Sequence, residues 1–196
     1  MEKPLPTPEL LRKLLRYEPD AGKLFWRERT PDLFSSGKHS AAHRCNRWNS
    51  RYRGEEAFTA NVGLGYLVGG IFDRLHRAHR VIWAMETGAW PLEDIDHING
   101  VRDDNRMINL RAVSRTENMR NAKMPKSNTS GTVGVLCHSP TGRWRAEIKV
   151  DGKALHLGLF DKKSDATAAR KAAEIKYGFH PNHGRQNTPA PLSPKG

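Results

Sequence analysis

The most regular pattern of apolar and polar positions lies in residues 143–150 (RWRAEIKV), where every second residue is apolar. The intervening residues are Arg143, Arg145, Glu147 and Lys149, so one face is mostly basic. A period of two predicts a half-buried strand. Asp151-Gly152 predicts a two-residue hairpin turn after it. With a strand at Thr132–Leu136, a return strand over 153–160 and a helix from about Ser164 to Tyr177, we predict three antiparallel strands packed on one helix.

The N-terminal part of the chain has weaker patterns. Leucines at helical spacing, with Thr7 and Pro8 as cap and first-turn residue, predict a helix over Thr7–Tyr17. A short strand follows at Leu24–Trp26. The polar residues 30–50 predict a loop, and the glycine-rich residues 57–72 predict a twisted hairpin.

The central segment predicts a helix, two strands and a second helix. His79–Thr87 has the pattern of a helix ended by Gly88, and Asp96-His97 lies on a short strand. A second strand is expected at Leu110–Val113, and a capping-box pattern at Ser114–Glu117 predicts a helix to about Lys123. The fold class is therefore α+β. The predicted divisions are an N-terminal region (1–78), a core (79–123), a linker (124–130), a small domain (131–184) and a disordered tail (185–196).

One short stretch combines a proton acceptor with two hard metal ligands. A carboxylate oxygen of Asp96 and an amide oxygen of Asn118 suit Mg²⁺-like cations, and the imidazole of His97 can take a proton near neutral pH. Adjacent residues on a strand point to opposite sides, so Asp96 and His97 can serve metal and water separately. The amide of Asn109 can hold the connecting loop in place. Together these groups predict phosphodiester hydrolysis.

Each of these residues also has an ordinary structural interpretation. Asparagines before glycine or leucine commonly mark turns or caps, but a strand, a loop, a strand and a capped helix in this order favour a functional site. His79 begins a helix and is either structural or an accessory to the site. Arg106 and Arg115 either bind phosphates or simply face solvent. His180 and His183 predict a surface loop rather than a metal site.

Charge points to a polyanionic partner. The chain carries 33 Lys and Arg against 21 Asp and Glu, a formal charge of +12. Residues 79–123 are balanced, with seven of each sign, and the flanks carry the excess. We therefore expect the flanks to bind nucleic acid and the neutral centre to perform the chemistry.

Cysteine use and hydropathy predict a cytoplasmic protein. Cys45 and Cys137 are the only cysteines and form no C-x-x-C motif, which fits a reducing compartment. No apolar run approaches the length of a membrane span, and the start lacks a secretory signal core. We expect no membrane association.

Residues 79–121 resemble the HNH endonuclease family, in particular its homing-type and phage-encoded members with a ββα-metal active site. The resemblance rests on the Asp96-His97 pair, the two later asparagines and the HR-x-x-W lead-in at His79. It implies that Asp96 and Asn118 hold one Mg²⁺ or Mn²⁺, that His97 is the general base and that Asn109 braces it. The products it implies carry 5′-phosphate and 3′-hydroxyl ends.

Residues 127–184 resemble the DNA-binding domain of the plant ethylene-response-factor (apetala-type) family, through their Gly-Val, Trp-x-Ala-x-Ile and Leu-Gly-x-Phe elements. In that family the second and third strands face the major groove. The resemblance implies contacts to DNA from Arg143, Arg145, Lys149 and His156.

The function that we expect is metal-dependent hydrolysis of double-stranded DNA by a monomer. One centre per chain favours nicking, although a dimer could cut both strands. The main alternative is a DNA-binding regulator whose nuclease part is inactive. A third class, an RNA-directed or structural nucleic-acid protein, has no aromatic stacking motif to support it.

Overall fold

The computed structural model describes residues 4–63 and 65–185. The chain forms two compact units, Met1–Ala112 and Val113–Gly196. Their boundary falls inside the segment predicted as one core, 79–123, and the predicted domain divisions stay predictions. The helices are α1 (Pro8–Leu14), α2 (Ala41–Tyr52), α3 (Ala78–Thr87), α4 (Arg115–Arg120) and α5 (Lys163–Lys176). The strands are β1 (Leu15–Glu18), β2 (Lys23–Trp26), β3 (Glu56–Ala57), β4 (Ala60–Asn61), β5 (Leu67–Ile71), β6 (Arg74–Arg77), β7 (Asp94–His97), β8 (Leu110–Val113), β9 (Val135–His138), β10 (Arg143–Val150) and β11 (Lys153–Phe160).

The first helix is shorter than predicted. Thr7 caps α1 by accepting from the N–H of Leu10, but the chain becomes extended at Leu15, which pairs with Trp26 in the antiparallel β1–β2 ladder. Leu11, Leu14 and Leu15 are all fully buried. The leucine spacing therefore marks burial correctly, but Leu15 reaches the core from a strand and the predicted last turn was wrong.

The loop predicted at residues 30–50 was also wrong, because α2 occupies Ala41–Tyr52. Ser40 caps this helix by accepting from the N–H of His43. Cys45 and the side-chain amide of Asn49 both donate to the carbonyl of Arg29. Few apolar residues are needed where such polar anchors hold a helix, so the hydrophobic pattern gave no signal.

In the rest of the first unit, the hairpin predicted over 57–72 corresponds to β4 and β5, whereas β3 and β6 were not predicted. β4, β5 and β6 form an antiparallel sheet, and α3 ends at Gly88, which is left-handed (φ 79°) as predicted. β7 and β8 form a separate two-stranded sheet. The core beneath them is built on α1 and α3, with Val81 and Ile82 fully buried.

The second unit confirms most of its predicted elements. β9, β10 and β11 form one antiparallel sheet with β10 in the centre, and α5 packs on it through Ala166 and Ala146. Asp151 and Gly152 both have positive φ (48° and 81°), as the predicted hairpin turn requires. β9 begins at Val135, three residues later than predicted. The alternation of β10 persists: Ala146 and Ile148 are buried, while Lys149 is exposed.

A buried polar cluster closes the second unit. Arg170 is only 3% exposed, and its guanidinium donates to Glu174 at 3.0 Å and to Nε2 of His183 at 3.2 Å. Burial lowers the pKa of His183. The surface-loop interpretation was therefore wrong for His183, which is part of the packing around α5. The predicted tail, apart from Arg185, lies outside the described residues.

Across the described part of the chain, none of the helices combines the length and apolar character needed to cross a membrane.

Candidate active site

His97, the last residue of β7, is held by Asn105 from the loop that leads to β8. Oδ1 of Asn105 lies 3.1 Å from Nε2 of His97, and Asn105 is only 1% exposed. The amide nitrogen of Asn105 donates to the carbonyl of Asp103 at 3.2 Å. Because a carbonyl only accepts, this bond orients the amide with its oxygen toward His97. Nε2 of His97 must then carry the hydrogen, and Nδ1 carries the lone pair.

Two aromatic rings pack against the imidazole of His97. The ring of His79 meets it edge-on at 5.1 Å between centroids, and the ring of Tyr66 lies at 5.8 Å. Burial lowers the pKa of His97, although the Asn105 hydrogen bond opposes the shift. Burial, together with the neighbouring His97, lowers the pKa of His79 to about 3. Both imidazoles are therefore neutral at physiological pH.

The rim of this ring cluster is cationic. The guanidinium groups of Arg77 and Arg102 each lie 4.9 Å from the centre of the Tyr66 ring. Cations over an aromatic face are attracted by its negative charge distribution. Two positive groups are thus fixed beside the residues that surround His97.

Asp96 is paired with Arg111 of the neighbouring strand. Nε and Nη2 of Arg111 donate to Oδ2 of Asp96 at 3.1 and 2.8 Å. Asp96 is 8% exposed, and a buried carboxylate is stabilised by a cation that donates hydrogen bonds to it. Arg111 supplies that charge across the β7–β8 sheet.

Asn109 ties together the loop between β7 and β8. Its Oδ1 accepts from the N–H of Asn99 at 2.9 Å, and its Nδ2 donates to the carbonyl of Asp104 at 2.8 Å. Its own carbonyl accepts from the N–H of Ile98 at 2.9 Å. Asn109 therefore fixes the backbone on both sides of the loop that carries Asn105.

The β1–β2 hairpin supports the same loop from below. The hydroxyl of Tyr17 donates to the carbonyl of Asn105 at 3.1 Å and accepts from the N–H of Met107 at 3.0 Å. Gly22, at φ 68°, packs so closely that a Cβ atom there would lie 2.7 Å from the backbone nitrogen of Arg106. A side chain at this turn would push the loop away.

Comparison with known proteins relates the sequence of this segment to a family. The HNH endonuclease family matches residues 76–120. Protein 3.8 of Escherichia phage T7 is 36% identical over 83 residues, which cover 42% of this chain and 69% of that protein. The chain belongs to the family of this phage protein. We refer to residues 76–120, the stretch that the HNH endonuclease family matches, as the HNH domain. No solved structure gives a significant match.

The HNH domain contains the four residues predicted for the site, and the structure brings three of them together. Asp96, His97 and Asn109 all belong to the β7–β8 sheet and its loop. Asn118 lies on α4, in the second unit, and is half-buried. The predicted capping box of α4 is present, with Ser114 and Glu117 bonded reciprocally. The pairing of Asn118 with Asp96 stays a prediction.

The HNH domain offers oxygen donors that fit a Mg²⁺- or Mn²⁺-like cation in type. Such ions take carboxylate and amide oxygens and keep several waters, and Asp96 and Asn118 supply one of each. A cation at Oδ2 of Asp96 would compete with the guanidinium of Arg111. Among the residues that the structure describes, no three or more His, Cys, Asp or Glu side chains form a group that could hold a metal ion.

The predicted DNA-contacting arginines of the HNH domain differ in their surroundings. Arg106 donates to both carboxylate oxygens of Asp104, at 2.7 and 2.6 Å, and these bonds lower the pKa of Asp104. Arg115 is exposed on the first turn of α4. Arg106 is therefore already neutralised, whereas Arg115 presents its charge to solvent.

Beyond the HNH domain, the predicted contacts on the sheet of the second unit share one face. Arg143 pairs with Asp161 at 2.9 Å and Arg145 with Glu147 at 3.1 Å. Lys149 and His156 are exposed, and His156 lies opposite Glu147 in the strand register. The face is basic, but two of its cations have acidic partners.

Three residues that contact His97 or Asp96 were not predicted from the sequence. They are Tyr66, Asn105 and Arg111. Asn105 sits in a polar run (DDNR) that has the composition of an ordinary turn. Arg111 lies on β8, where it is one of the polar positions of a short strand. Neither position has a periodic signal, so only the folded loop and sheet reveal their partners.

Proposed function

We propose that this chain is a metal-dependent endonuclease that hydrolyses phosphodiester bonds of double-stranded DNA. The observation that carries the proposal is the buried His97 of the HNH domain, whose Nε2 is fixed by Asn105. A histidine held in one tautomer presents the same ring nitrogen to its substrate in every encounter. The HNH match implies nuclease chemistry, and the cationic rim beside Tyr66 suits a phosphate substrate.

His97 acts as the general base. Nδ1 takes a proton from a water molecule as the water oxygen attacks phosphorus, and the bond from phosphorus to the 3′ oxygen breaks. A positioned base of this kind contributes about 10²–10⁴-fold to the rate. The lowered pKa of His97 keeps the imidazole unprotonated and able to accept at neutral pH. Asn109 keeps the loop that carries Asn105 in place.

Asp96 and Asn118 would hold one Mg²⁺ or Mn²⁺ ion, with β7, β8 and α4 as a ββα-metal core. Such an ion, when bound, stabilises charge that develops on the phosphate and the leaving oxygen. Arg111 orients the carboxylate of Asp96 by donating to its Oδ2. His79 is the accessory residue that packs against the base.

The second unit would locate the duplex as an ethylene-response-factor-type DNA-binding domain. Its three-stranded antiparallel sheet with a helix on one face supports this proposal, because the open face is free to enter a groove. Arg143, Arg145, Lys149 and His156 would contact DNA there, with Arg106 and Arg115 nearer the scissile bond. We further propose that the enzyme acts as a nicking monomer of the homing type, since one candidate site per chain favours a cut in one strand.

Plasmid cleavage tests the proposal. Supercoiled plasmid is incubated with the full chain and Mg²⁺ or Mn²⁺, beside an EDTA control and the variants His97→Ala and His76→Ala. His76 is also buried, at 7% exposure, and packs on Trp90 away from His97, so it controls for loss of a buried imidazole. We expect nicked circles from the wild type and His76→Ala only.

Equal cleavage by the wild type and His97→Ala would remove His97 from the mechanism. Absence of cleavage by any protein, with DNA binding retained, would favour the non-catalytic regulator instead.

A further inference from the structure

Helix α2 presents a row of basic side chains to solvent. His43, Arg47 and Arg51 recur every four residues, a spacing that puts side chains on one face of a helix, and all three are exposed. No acidic residue occurs between Leu33 and Gly54. The helix therefore carries positive charge that its own segment does not neutralise.

The anchoring of α2 fixes which face is outward. Cys45 and Asn49 bond to the carbonyl of Arg29, and the guanidinium of Arg29 lies 3.8 Å from the centre of the Trp48 ring. At 3.6 residues per turn, position 47 lies opposite the middle of the Cys45–Asn49 face. The row of basic side chains therefore lies on the face of α2 opposite the contacts of Cys45 and Asn49.

An open groove of about 420 Å³ runs between this helix and residues 34–39. Lys38 and His39 line its far side, and the His39 ring stacks on that of His43 at 4.8 Å. None of the described residues that line the groove is acidic. Arg47 and Lys38 have no ion pair within the described part of the chain.

We propose that this groove binds the phosphate backbone of duplex DNA, with His43, Arg47 and Arg51 along one strand. The proposal rests on the proposed function in taking DNA as the ligand. It adds a contact surface in the first unit to the one expected in the second.

Charge and dimensions favour a phosphate backbone. From His43 to Arg51 the helix rises about 12 Å, the axial length of three to four phosphates at about 3.4 Å each along one strand. Two aromatic rings of the groove are already engaged: Trp48 packs edge-on against Trp26 at 5.5 Å and against Arg29, and Tyr52 packs on Trp48 at 5.2 Å. Stacking of unpaired bases would have to displace these contacts, whereas phosphates need only the exposed cations.

A chain of contacts connects the groove with the active site inside the first unit. Trp48 packs on Trp26 of β2, β2 pairs with β1, and Tyr17 of β1 bonds to the backbone of Asn105. Asn105 holds His97. One small sheet therefore carries both the cationic helix and the loop that orients the base.

Salt-dependent DNA binding tests the inference. Binding of the full chain to a short fluorescent duplex is measured in EDTA, so that cleavage does not intervene. The double variant Arg47→Ala, Arg51→Ala should bind about tenfold more weakly and lower the slope of log affinity against log salt by about 1.8, at about 0.9 per phosphate contact. Replacement of both by lysine should keep most of the slope, since the charges remain.

The matched control is Lys13→Ala with Arg16→Ala. It also removes two exposed positive charges from the first unit, and Arg16 already has an acidic partner in Glu18. Circular dichroism verifies that each variant is folded. A slope that stays unchanged in the Arg47, Arg51 variant, or that falls equally in the control, overturns this inference alone. Failure of the wild type to bind duplex overturns the proposed function as well.

Discussion

Asn105 and His97 form a buried pair in which the amide oxygen of Asn105 lies 3.1 Å from Nε2 of His97. That amide is oriented in turn by a second hydrogen bond, in which its nitrogen donates to the carbonyl of Asp103. The backbone conformation of the β7–β8 loop therefore determines the tautomer of His97. Anything that moves this loop changes the nitrogen presented to substrate.

Replacement of Asn105 by alanine should slow cleavage without removing the base. Nε2 loses its acceptor, so the two neutral tautomers become closer in energy and the ring gains freedom. We expect a decrease in kcat of about 10- to 100-fold, the usual effect of removing a partner that orients a functional histidine. Plasmid nicking kinetics measure this rate.

Nitrogen-15 NMR of the imidazole distinguishes this role from general destabilisation. In the wild type, His97 should be the Nε2–H tautomer, and Asn105→Ala should show a mixture. Asn99→Ala serves as control, because Asn99 bonds to Asp104 and Val101 in the same loop but not to His97. A variant that keeps a single Nε2–H tautomer would contradict the proposed role of Asn105.

Replacement of Arg111 by methionine should make the free energy of unfolding depend more strongly on the presence of divalent metal. The buried carboxylate of Asp96 loses its cation, so the metal-free protein should lose about 2 kcal/mol, less than a fully buried pair because Arg111 is one-third exposed. A Mg²⁺ or Mn²⁺ ion would then no longer compete with the guanidinium of Arg111 for Oδ2. The rise in Tm on adding metal should exceed that of the wild type.

Arg106→Met is the matched control for this measurement. It removes the same functional group from an arginine–carboxylate pair of the same loop region, but its partner is Asp104. If metal raises the Tm of Arg111→Met no more than that of the wild type, Asp96 is not a metal ligand.

Regular elements with strong patterns could be predicted from the sequence, and elements held by polar anchors could not. The alternation of residues 143–150 and the left-handed Gly88 both express local physics. Helix α2 instead depends on Cys45 and Asn49 meeting one distant carbonyl. Leu15 shows the intermediate case, where burial was predictable but its local conformation was set by pairing with Trp26.

The candidate site likewise contains residues that could be predicted from the sequence and residues that could not. Asp96, His97 and Asn109 stand in a recognisable order along the chain, so their neighbourhood could be predicted. The partners that set their chemical state, Asn105 and Arg111, are ordinary polar residues that acquire meaning only when the loop and the sheet form. The ion pair of Arg106 with Asp104 was likewise not predictable from the sequence, and the DNA contact of Arg106 stays a prediction.

His79 should make the first unit sensitive to acid. Its pKa is lowered from 6.5 to about 3 by burial, so between those values the unfolded chain binds a proton that the folded chain does not. Stability therefore falls as pH decreases through this window, by up to about 1.4 kcal/mol per pH unit from this group. His79→Phe removes the titrating group and should flatten the curve.

Urea unfolding at several values from pH 7 to pH 4 measures this effect. Because a phenylalanine in this packed position shifts the absolute stability, the comparison is between slopes against pH. Parallel curves for the wild type and His79→Phe would show that His79 is not the group that binds the proton on unfolding.

On the sheet face of the second unit, one substitution should strengthen DNA binding, whereas most substitutions weaken it. Glu147 neutralises Arg145 at 3.1 Å on the face expected to meet DNA. Glu147→Gln frees that guanidinium and should tighten DNA binding about threefold, the scale of a partly exposed ion pair. Arg145→Ala with Lys149→Ala should weaken binding and lower the salt slope by about 1.8.

Asp165→Asn is the control that distinguishes a local effect at the β10 face from the effect of a change in net charge. It adds the same formal charge to the second unit, but Asp165 lies in the first turn of α5, and α5 packs on the opposite, Ala146 face of the sheet. Fluorescence anisotropy in EDTA measures the DNA affinity of both variants. If Asp165→Asn strengthens binding as much as Glu147→Gln, net charge rather than the β10 face determines the affinity, and the face proposed for DNA contact is wrong.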